Sequence, residues 1–497
     1  MSYIYNQSMS LLTDLYQLTM AYGYYQQGRT EEEASFSLFF RKNPFGGGYA
    51  IAAGMGTVIE FLDRFSFDDS DIDYLRSLTG NDSKPLFNED FLDYLKGMKF
   101  ECTVDAIAEG TVVFPHEPLM RVTGPLIQCQ LLETVLLNTI NFQTLIATKA
   151  RRISHAADGD PVLEFGLRRA QGWDGSISAS RAAVIGGCTA TSNVLAGKLF
   201  GIPVKGTHAH SWVMSYEDEF ESFQKYAEVM PNNCVFLVDT YNTIKGVKKA
   251  VKVGEWLRER GHEMVGVRLD SGDLAELSIK AREILDKAGF PNASIVASND
   301  LNENLIFSLK LQGAKIGVWG VGTQLATGGT QAALGGVYKI SALRKDSESP
   351  WVEKVKLSEQ AIKVSNPGLL KVRRFFKEVD GKKVCVGDVL YDERDGLGTL
   401  IEAIDPIDFT KRVQINTEEL DSSELLTTYY KNGVKVAWVS EVTVSRTFCE
   451  GSFEQFPSAM KRFDNPTPYF VGLEEKVFNR KVELIRKNKT VTLGEEL

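Results

Sequence analysis

The chain is poor in the residues that build metal sites and disulfide scaffolds. Its 497 residues hold six cysteines and five histidines. The cysteines, Cys102, Cys129, Cys188, Cys234, Cys385 and Cys449, lie far apart, with no C-x-x-C pair and no histidine at zinc-ligand spacing. That argues against a zinc ribbon or a disulfide-stapled domain. They read as reduced, mostly buried thiols of a cytoplasmic protein. No apolar run approaches the roughly 20 residues needed to span a bilayer. The opening MSYIYNQSMSLLTDLYQLTM has no positive segment leading into an uninterrupted apolar stretch, so a soluble protein made without a secretory signal is expected. A basic block is also missing and the net charge is -9, which leaves no electrostatic footprint for nucleic acid or an anionic membrane. No G-x-x-x-x-G-K-[ST] loop occurs and no G-x-G-x-x-G follows a strand, so any phosphate must be held by other means.

What remains is ordinary globular composition, 43% hydrophobic and 24% charged, in a chain too long for one core of typical size. Apolar residues at Leu12, Leu15, Leu18 and Tyr22 predict a helix that Gly28 stops. Residues 34–60 predict a strand, a glycine-rich turn after Pro44 and a return element, and 100–130 a small antiparallel sheet. A long helix from about 131 opens a series of short apolar runs alternating with helical stretches: PVLEFG, PVKGT, CVFLVDT, MVGVRLDS, SIVASND, KIGVWGVGT and VYKISAL. This alternation predicts βα units around a parallel sheet, fitting a closed or nearly closed α/β barrel better than a doubly wound sheet. Strand candidates such as KKVCVGDVLY and VKVAWVSEVTV follow later in the chain. The expected division is 1–130, an α+β domain; 131–345, the α/β catalytic domain; and 346–497, a segment packing on both.

Active sites of α/β barrels gather at the C-terminal ends of the strands. Those ends carry Glu164, Phe165, Arg168 and Arg169; Thr207, His208 and His210; Asp239; Arg268, Asp270 and Asp273; Ser298, Asn299 and Asp300; and Gly320, Gly322 and Thr323. Arginine forks bind phosphate or carboxylate, a GVGT turn offers backbone N–H groups, and aspartates suit ribose hydroxyls or hydrated magnesium. Each has a plainer reading: Asp270 and Asp273 as helix caps, the glycines as a tight turn, Arg168 and Arg169 as a solvated face. The two histidines of GTHAHSW admit three: a metal pair completed by Asp239 or Asp270, a phosphoryl-carrying nucleophile, or buried imidazoles. The other histidines, His116, His155 and His262, fall at the wrong places to complete a metal site.

Taken in order, LLTDLYQLTMAYGY, RKNPFGGGYAIAAG, INFQTLIATKARRI, EFGLRRAQGWDGSISASRAA, GTHAHSWVMSY, FLVDTYNT, GVRLDSGDL, SNDLNE and GVGTQLATG resemble the motifs of the nicotinate phosphoribosyltransferases. The resemblance runs over most of residues 11–345. It implies an incomplete α/β barrel of the type II phosphoribosyltransferase kind with a separate β-rich α+β domain. It further implies an ATP-coupled, ligase-class enzyme that makes nicotinate mononucleotide from nicotinate and phosphoribosyl pyrophosphate. Magnesium and a homodimer with an active site shared between subunits belong to the same implication.

By that resemblance His210, the second histidine of the G-T-x-A-H motif, is the phosphorylated residue. Tyr16 stacks on nicotinate from the partner subunit, with Phe165 on the opposite face, although the helical pattern alone makes Tyr16 a core tyrosine. Arg268 and Thr207 lie at the nicotinate carboxylate. Arg168, Asp270, Gly322, Thr323 and Thr327 surround phosphoribosyl pyrophosphate. Lys149 and Arg151 are weaker phosphate candidates, since a basic helix end also offsets its own dipole. His208 occupies the variable position of the motif and is expected to make a structural hydrogen bond. A metal-dependent barrel hydrolase and a silent ligand-binding relative remain as alternatives, as do nicotinamide or quinolinate as substrates.

Overall fold

A computed structural model of the chain describes residues 9–489. Two compact units separate within it: Ile146–Ala332 with Glu441–Thr447, and the remainder, drawn from the residues up to Leu145, Ala333–Ser440 and the stretch from Phe448 onward. The division runs through the helix Glu133–Ala157, where the sequence suggested 131, and returns at 332, where it suggested 345.

The unit around Ile146–Ala332 carries the parallel sheet. Its six strands are β1 (Val162–Glu164), β2 (Ala190–Thr191), β3 (Val235–Leu237), β4 (Gly266–Leu269), β5 (Ser294–Ala297) and β6 (Val318–Val321). Their order is β2-β1-β6-β5-β4-β3, parallel at every pairing. A single parallel bridge, Thr191↔Val204, extends the sheet past β2. Helices cover the strands, and the inward residues, among them Phe236, Val267 and Trp319, are fully buried, as expected for a sheet covered by crossover helices. The result is an incomplete α/β barrel, open between the residues after β2 and the edge of β3.

Many polar residues that follow the strands are helix caps. Asn193, Asp218, Asn242, Asp273 and Asn302 each accept a hydrogen bond from the backbone N–H three residues on, filling a donor that a helix start otherwise leaves free. For Asp273 the capping reading is therefore what the structure shows.

Apart from one parallel pairing, Lys382–Asp392 with Val471–Glu474, the other unit is built on antiparallel sheets. One has the order Val352–Glu353, Gly336–Arg344, Glu33–Phe40, Met120–Pro125, Thr103–Ile107, Leu426–Lys431, Val434–Lys435. A core of Phe36, Leu38, Phe91, Val104, Met120 and Tyr338 packs with it. A second, six-stranded sheet contains the long hairpin Leu370–Val379 and Lys382–Asp392. On it Arg374, 2% exposed, meets Asp388, fully buried, through Nε and Nη2 at 2.9 and 2.6 Å. Tyr469 donates to the same carboxylate at 2.9 Å. Burial, with Asp388 beside it, pushes the Glu117 carboxyl well above the usual range, so it stays protonated in this cluster.

Three sequence expectations change here. VYKISAL pairs antiparallel with Glu33–Phe40 and is not a barrel strand, because that ladder takes up its backbone groups from Gly336 to Arg344. PVKGT supplies one bridge residue where a strand was expected, and the β2 pair inside GGCTATSN takes the barrel position instead. VKVAWVSEVTV contributes only Val434–Lys435 as strand and then enters the helix Val442–Glu454. All six cysteines are buried and unbridged. Among the described residues no helix is long and apolar enough to cross a membrane.

Candidate active site

The C-terminal ends of β1, β4, β5 and β6 surround a cavity of about 170 Å³, lined by Phe165, Arg168, Arg169, Arg268, Asp270, Ser298, Asn299, Asp300, Gly320, Gly322 and Thr323. Phe165 leaves β1 in a turn held by its N–H on the Val321 carbonyl at 2.8 Å. Its ring lies over Gly320, where a Cβ would come within 2.7 Å of two ring carbons. Gly166 is pressed against Ala326 and the Gly322 carbonyl in the same way. These glycines are used for close approach between β1 and β6.

Arg268 organises the polar wall. Its Nε donates to Ser298 Oγ at 2.7 Å, Nη1 to Thr207 Oγ1 at 2.9 Å and Nη2 to Asp270 Oδ1 at 2.9 Å. The guanidinium carbon stands 5.6 Å from the centre of the Phe165 ring, so a cation and a flat apolar face share one wall. Burial pushes the Asp270 carboxyl up, but the Ser298 hydroxyl and the Arg268 charge outweigh it and hold the carboxyl below its ordinary range. Asp270 is therefore ionised at neutral pH.

His210 opens the short helix His210–Met214, with its side chain 39% exposed. Its Nδ1 is 3.0 Å from Thr240 Oγ1. On the other side, Nε2 faces Asp270 Oδ2 at 3.6 Å and Asp239 Oδ1 at 4.0 Å. Asp239 is held from its second oxygen, which accepts from the Asp270 N–H at 2.9 Å and Ser271 Oγ at 2.7 Å. Among the described residues its buried Oδ1 has no hydrogen-bond partner. Thr240 was not singled out from the sequence: threonine after an aspartate at a strand end carries no distinguishing pattern.

His208 differs in every respect from its neighbour. It is 7% exposed, accepts from the Leu237 N–H at Nε2, 3.2 Å, and turns Nδ1 to the Ala209 carbonyl at 3.4 Å. Burial lowers its pKa to about 4. With both nitrogens engaged it is no metal ligand. Among the described residues no group of three or more His, Cys, Asp or Glu side chains gathers as a metal site.

The remaining candidates divide. Glu164 is buried and accepts from Ser180 Oγ at 2.8 Å and Thr191 Oγ1 at 2.6 Å, which ties β1 to its neighbours rather than facing the cavity. Lys149 pairs with Glu303 at 2.7 Å, both buried. Thr327 lies off the cavity wall, donating to the Thr323 carbonyl at 2.7 Å. Tyr16 belongs to the other unit, 49% exposed on the helix Leu15–Gln26, and so is not a core residue.

Similarity to known proteins extends over nearly the whole chain. The nicotinate phosphoribosyltransferase (NAPRTase) family model matches residues 162–380, and the models of the N-terminal and C-terminal domains of nicotinate phosphoribosyltransferase match 11–141 and 371–481. A nicotinate phosphoribosyltransferase of Bacillus subtilis is 42% identical over 99% of this chain and 98% of its own. One of Caenorhabditis elegans is 37% identical over 94% of this chain and 92% of its own. The crystal structure of human nicotinic acid phosphoribosyltransferase is similar at TM-score 0.81 and 30% identity, covering 95% of this chain and 99% of that one. Nicotinate-nucleotide pyrophosphorylase of Pyrococcus furiosus, 20% identical, shares the fold at TM-score 0.66 over 90% and 96%.

Proposed function

The chain belongs to the nicotinate phosphoribosyltransferase family, and we propose that it joins nicotinate to phosphoribosyl pyrophosphate, with ATP hydrolysis coupled through a phosphohistidine at His210, in NAD biosynthesis and salvage. The observation that carries the reading is the shared wall of Arg268 and Phe165. A planar aromatic carboxylate needs both a flat apolar surface and a fixed cation beside it. An uncharged nicotinamide would gain far less from a cation on that wall than a carboxylate does.

In the transfer, the pyridine nitrogen lone pair forms a bond to the ribose anomeric carbon as the bond from that carbon to the pyrophosphate oxygen breaks. No base is required, because the attacking nitrogen carries no proton to lose. The chain's part is to orient the two substrates and offset charge on the departing pyrophosphate. Arg168 and the Gly322–Thr323 turn line the cavity and suit those phosphates, while ionised Asp270 suits a ribose hydroxyl. Thr327 supports the turn through Thr323. Magnesium fits this donor set as a hydrated ion bound mainly by substrate phosphates, with Asp270 or Asp300 as the protein oxygen. It would offset phosphate charge.

For the ATP half-reaction, two carboxylates facing Nε2 of His210 favour a proton on that nitrogen. The lone pair then lies on Nδ1, beside the Thr240 hydroxyl. Attack of Nδ1 on the γ-phosphorus breaks its bond to the bridging oxygen and releases ADP, and Asp239 and Asp270 offset the positive charge left on the ring. Later attack by water returns phosphate. A homodimer completes the reading: Leu12, Leu15, Tyr16 and Met20 form an exposed apolar stripe that a second copy would cover, bringing Tyr16 to its nicotinate site. The unbridged thiols suit the cytoplasm.

The test is to supply nicotinate, phosphoribosyl pyrophosphate and magnesium with and without ATP and follow nucleotide formation. Nucleotide is expected in both, faster with ATP; none in either would end the reading. His210→Ala should abolish acid-labile protein phosphate and ATP stimulation while some uncoupled transfer persists, and undiminished phosphorylation would move the nucleophile elsewhere.

A further inference from the structure

The opening in the barrel lies along the outer edge of β3. Val238 turns its N–H toward β4, donating to the Arg268 carbonyl at 3.2 Å. By the alternation of a strand, the Leu237 N–H points the other way, into the opening. Across that opening, residues 203–205 run along β2 as a strand would: Thr191 N–H donates to the Pro203 carbonyl and Lys205 N–H to the Thr191 carbonyl, both at 3.0 Å. Among the described residues no backbone carbonyl accepts from the Leu237 N–H. The acceptor is His208 Nε2, at 3.2 Å.

The imidazole is held for this task. The Ala209 carbonyl can only accept, so Nδ1 carries the proton; the Leu237 N–H can only donate, so Nε2 carries the lone pair. One neutral tautomer satisfies both. Aromatic rings enclose it, Tyr226 at 5.0 Å, Phe223 at 6.0 Å and Phe236 at 6.4 Å between centroids. Between Pro203 and Trp212 it is the one buried residue. The residues on either side are fastened to neighbouring strand ends, Thr207 to Arg268 and His210 to Thr240.

We infer that His208 is a positioning residue: its neutral imidazole stands in for the carbonyl of a missing strand at the barrel seam, and by fixing the loop there it sets His210 between Thr240 and the two aspartates. The consequence for catalysis rests on the phosphohistidine reading of His210. The seam contact itself does not.

Two variants of the full-length protein separate these parts. His208→Phe keeps an aromatic ring among Tyr226, Phe223 and Phe236 but cannot accept; His208→Gln offers an amide oxygen at nearly the position of Nε2. In His208→Phe the Leu237 amide should exchange with solvent deuterium about tenfold faster, and acid-labile phosphate should form from ATP about tenfold more slowly, the scale of a lost buried hydrogen bond. In His208→Gln both should return to within about threefold of the parent rates. Parent-like exchange in His208→Phe, or parent-like phosphorylation despite faster exchange, overturns the inference. If the parent protein takes no phosphate from ATP, the phosphohistidine reading fails, and the imidazole resonances of His210 become the positioning readout: shifted in His208→Phe they support the inference, unmoved they overturn it. Should His208→Phe not fold, the ¹⁵N spectrum of the parent decides, since a proton on Nε2 of His208 at pH 7 contradicts the seam contact.

Discussion

Three side-chain contacts are directed from one residue, Arg268: to Ser298, Thr207 and Asp270. That many fixed directions is a property of a guanidinium, whose planar fork holds its donors in one geometry, whereas an ammonium is a flexible point charge. Arg268→Lys therefore keeps the charge and loses the positioning. We expect the KM for nicotinate to rise about tenfold or more, with a smaller change in kcat, because a carboxylate contact is made in ground and transition states alike. Initial rates at varied nicotinate measure this, and an unchanged KM would place the carboxylate elsewhere. Asp270 should remain ionised, since Ser298 still donates to it.

At the scale of elements, the decisive approach is β6 against the turn after β1. Gly320→Ala puts a methyl where the Phe165 ring lies, so the ring must move into the cavity. Overpacking of this kind costs about 1–3 kcal/mol. We expect weaker nicotinate binding by about tenfold with the fold retained, read by KM and by thermal melting together; unchanged binding would separate Phe165 from nicotinate. The strands themselves were legible because short apolar runs ending in polar residues repeat along the chain, and Phe165, Arg268, Asp270 and Gly322 were legible as what those runs deliver. The two-residue β2 was not, since Ala190–Thr191 leaves no periodic trace and is defined by its pairing with β1 and the bridge to Val204. His208 makes the structural hydrogen bond expected of it, but its partner, Leu237, lies 29 residues away and leaves no mark in the local sequence. Caps and ligands also look alike at a strand end: Asp270 faces the cavity while Asp273 caps a helix, and only the backbone path tells them apart.

Across the whole molecule, one unit is nearly continuous in sequence and the other is assembled from distant segments. The discontinuous unit also carries the most deeply buried charges. Arg374→Met would leave buried Asp388 without its cation, and removing one partner of a buried pair costs about 3–5 kcal/mol. Denaturant unfolding should show that loss, and the double variant with Asp388→Asn should recover part of it. A loss below about 1 kcal/mol would mean that Tyr469 and protonated Glu117 suffice for Asp388. The seven-stranded sheet has a further consequence, in time rather than in energy. Glu33–Phe40 and Thr103–Ile107 emerge early from the ribosome, yet their neighbours Gly336–Arg344 and Leu426–Lys431 are made hundreds of residues later. Throughout synthesis of the parallel sheet, the first strands wait with open edges. A chaperone that shields nascent chains would therefore matter most for the segment made first and completed last.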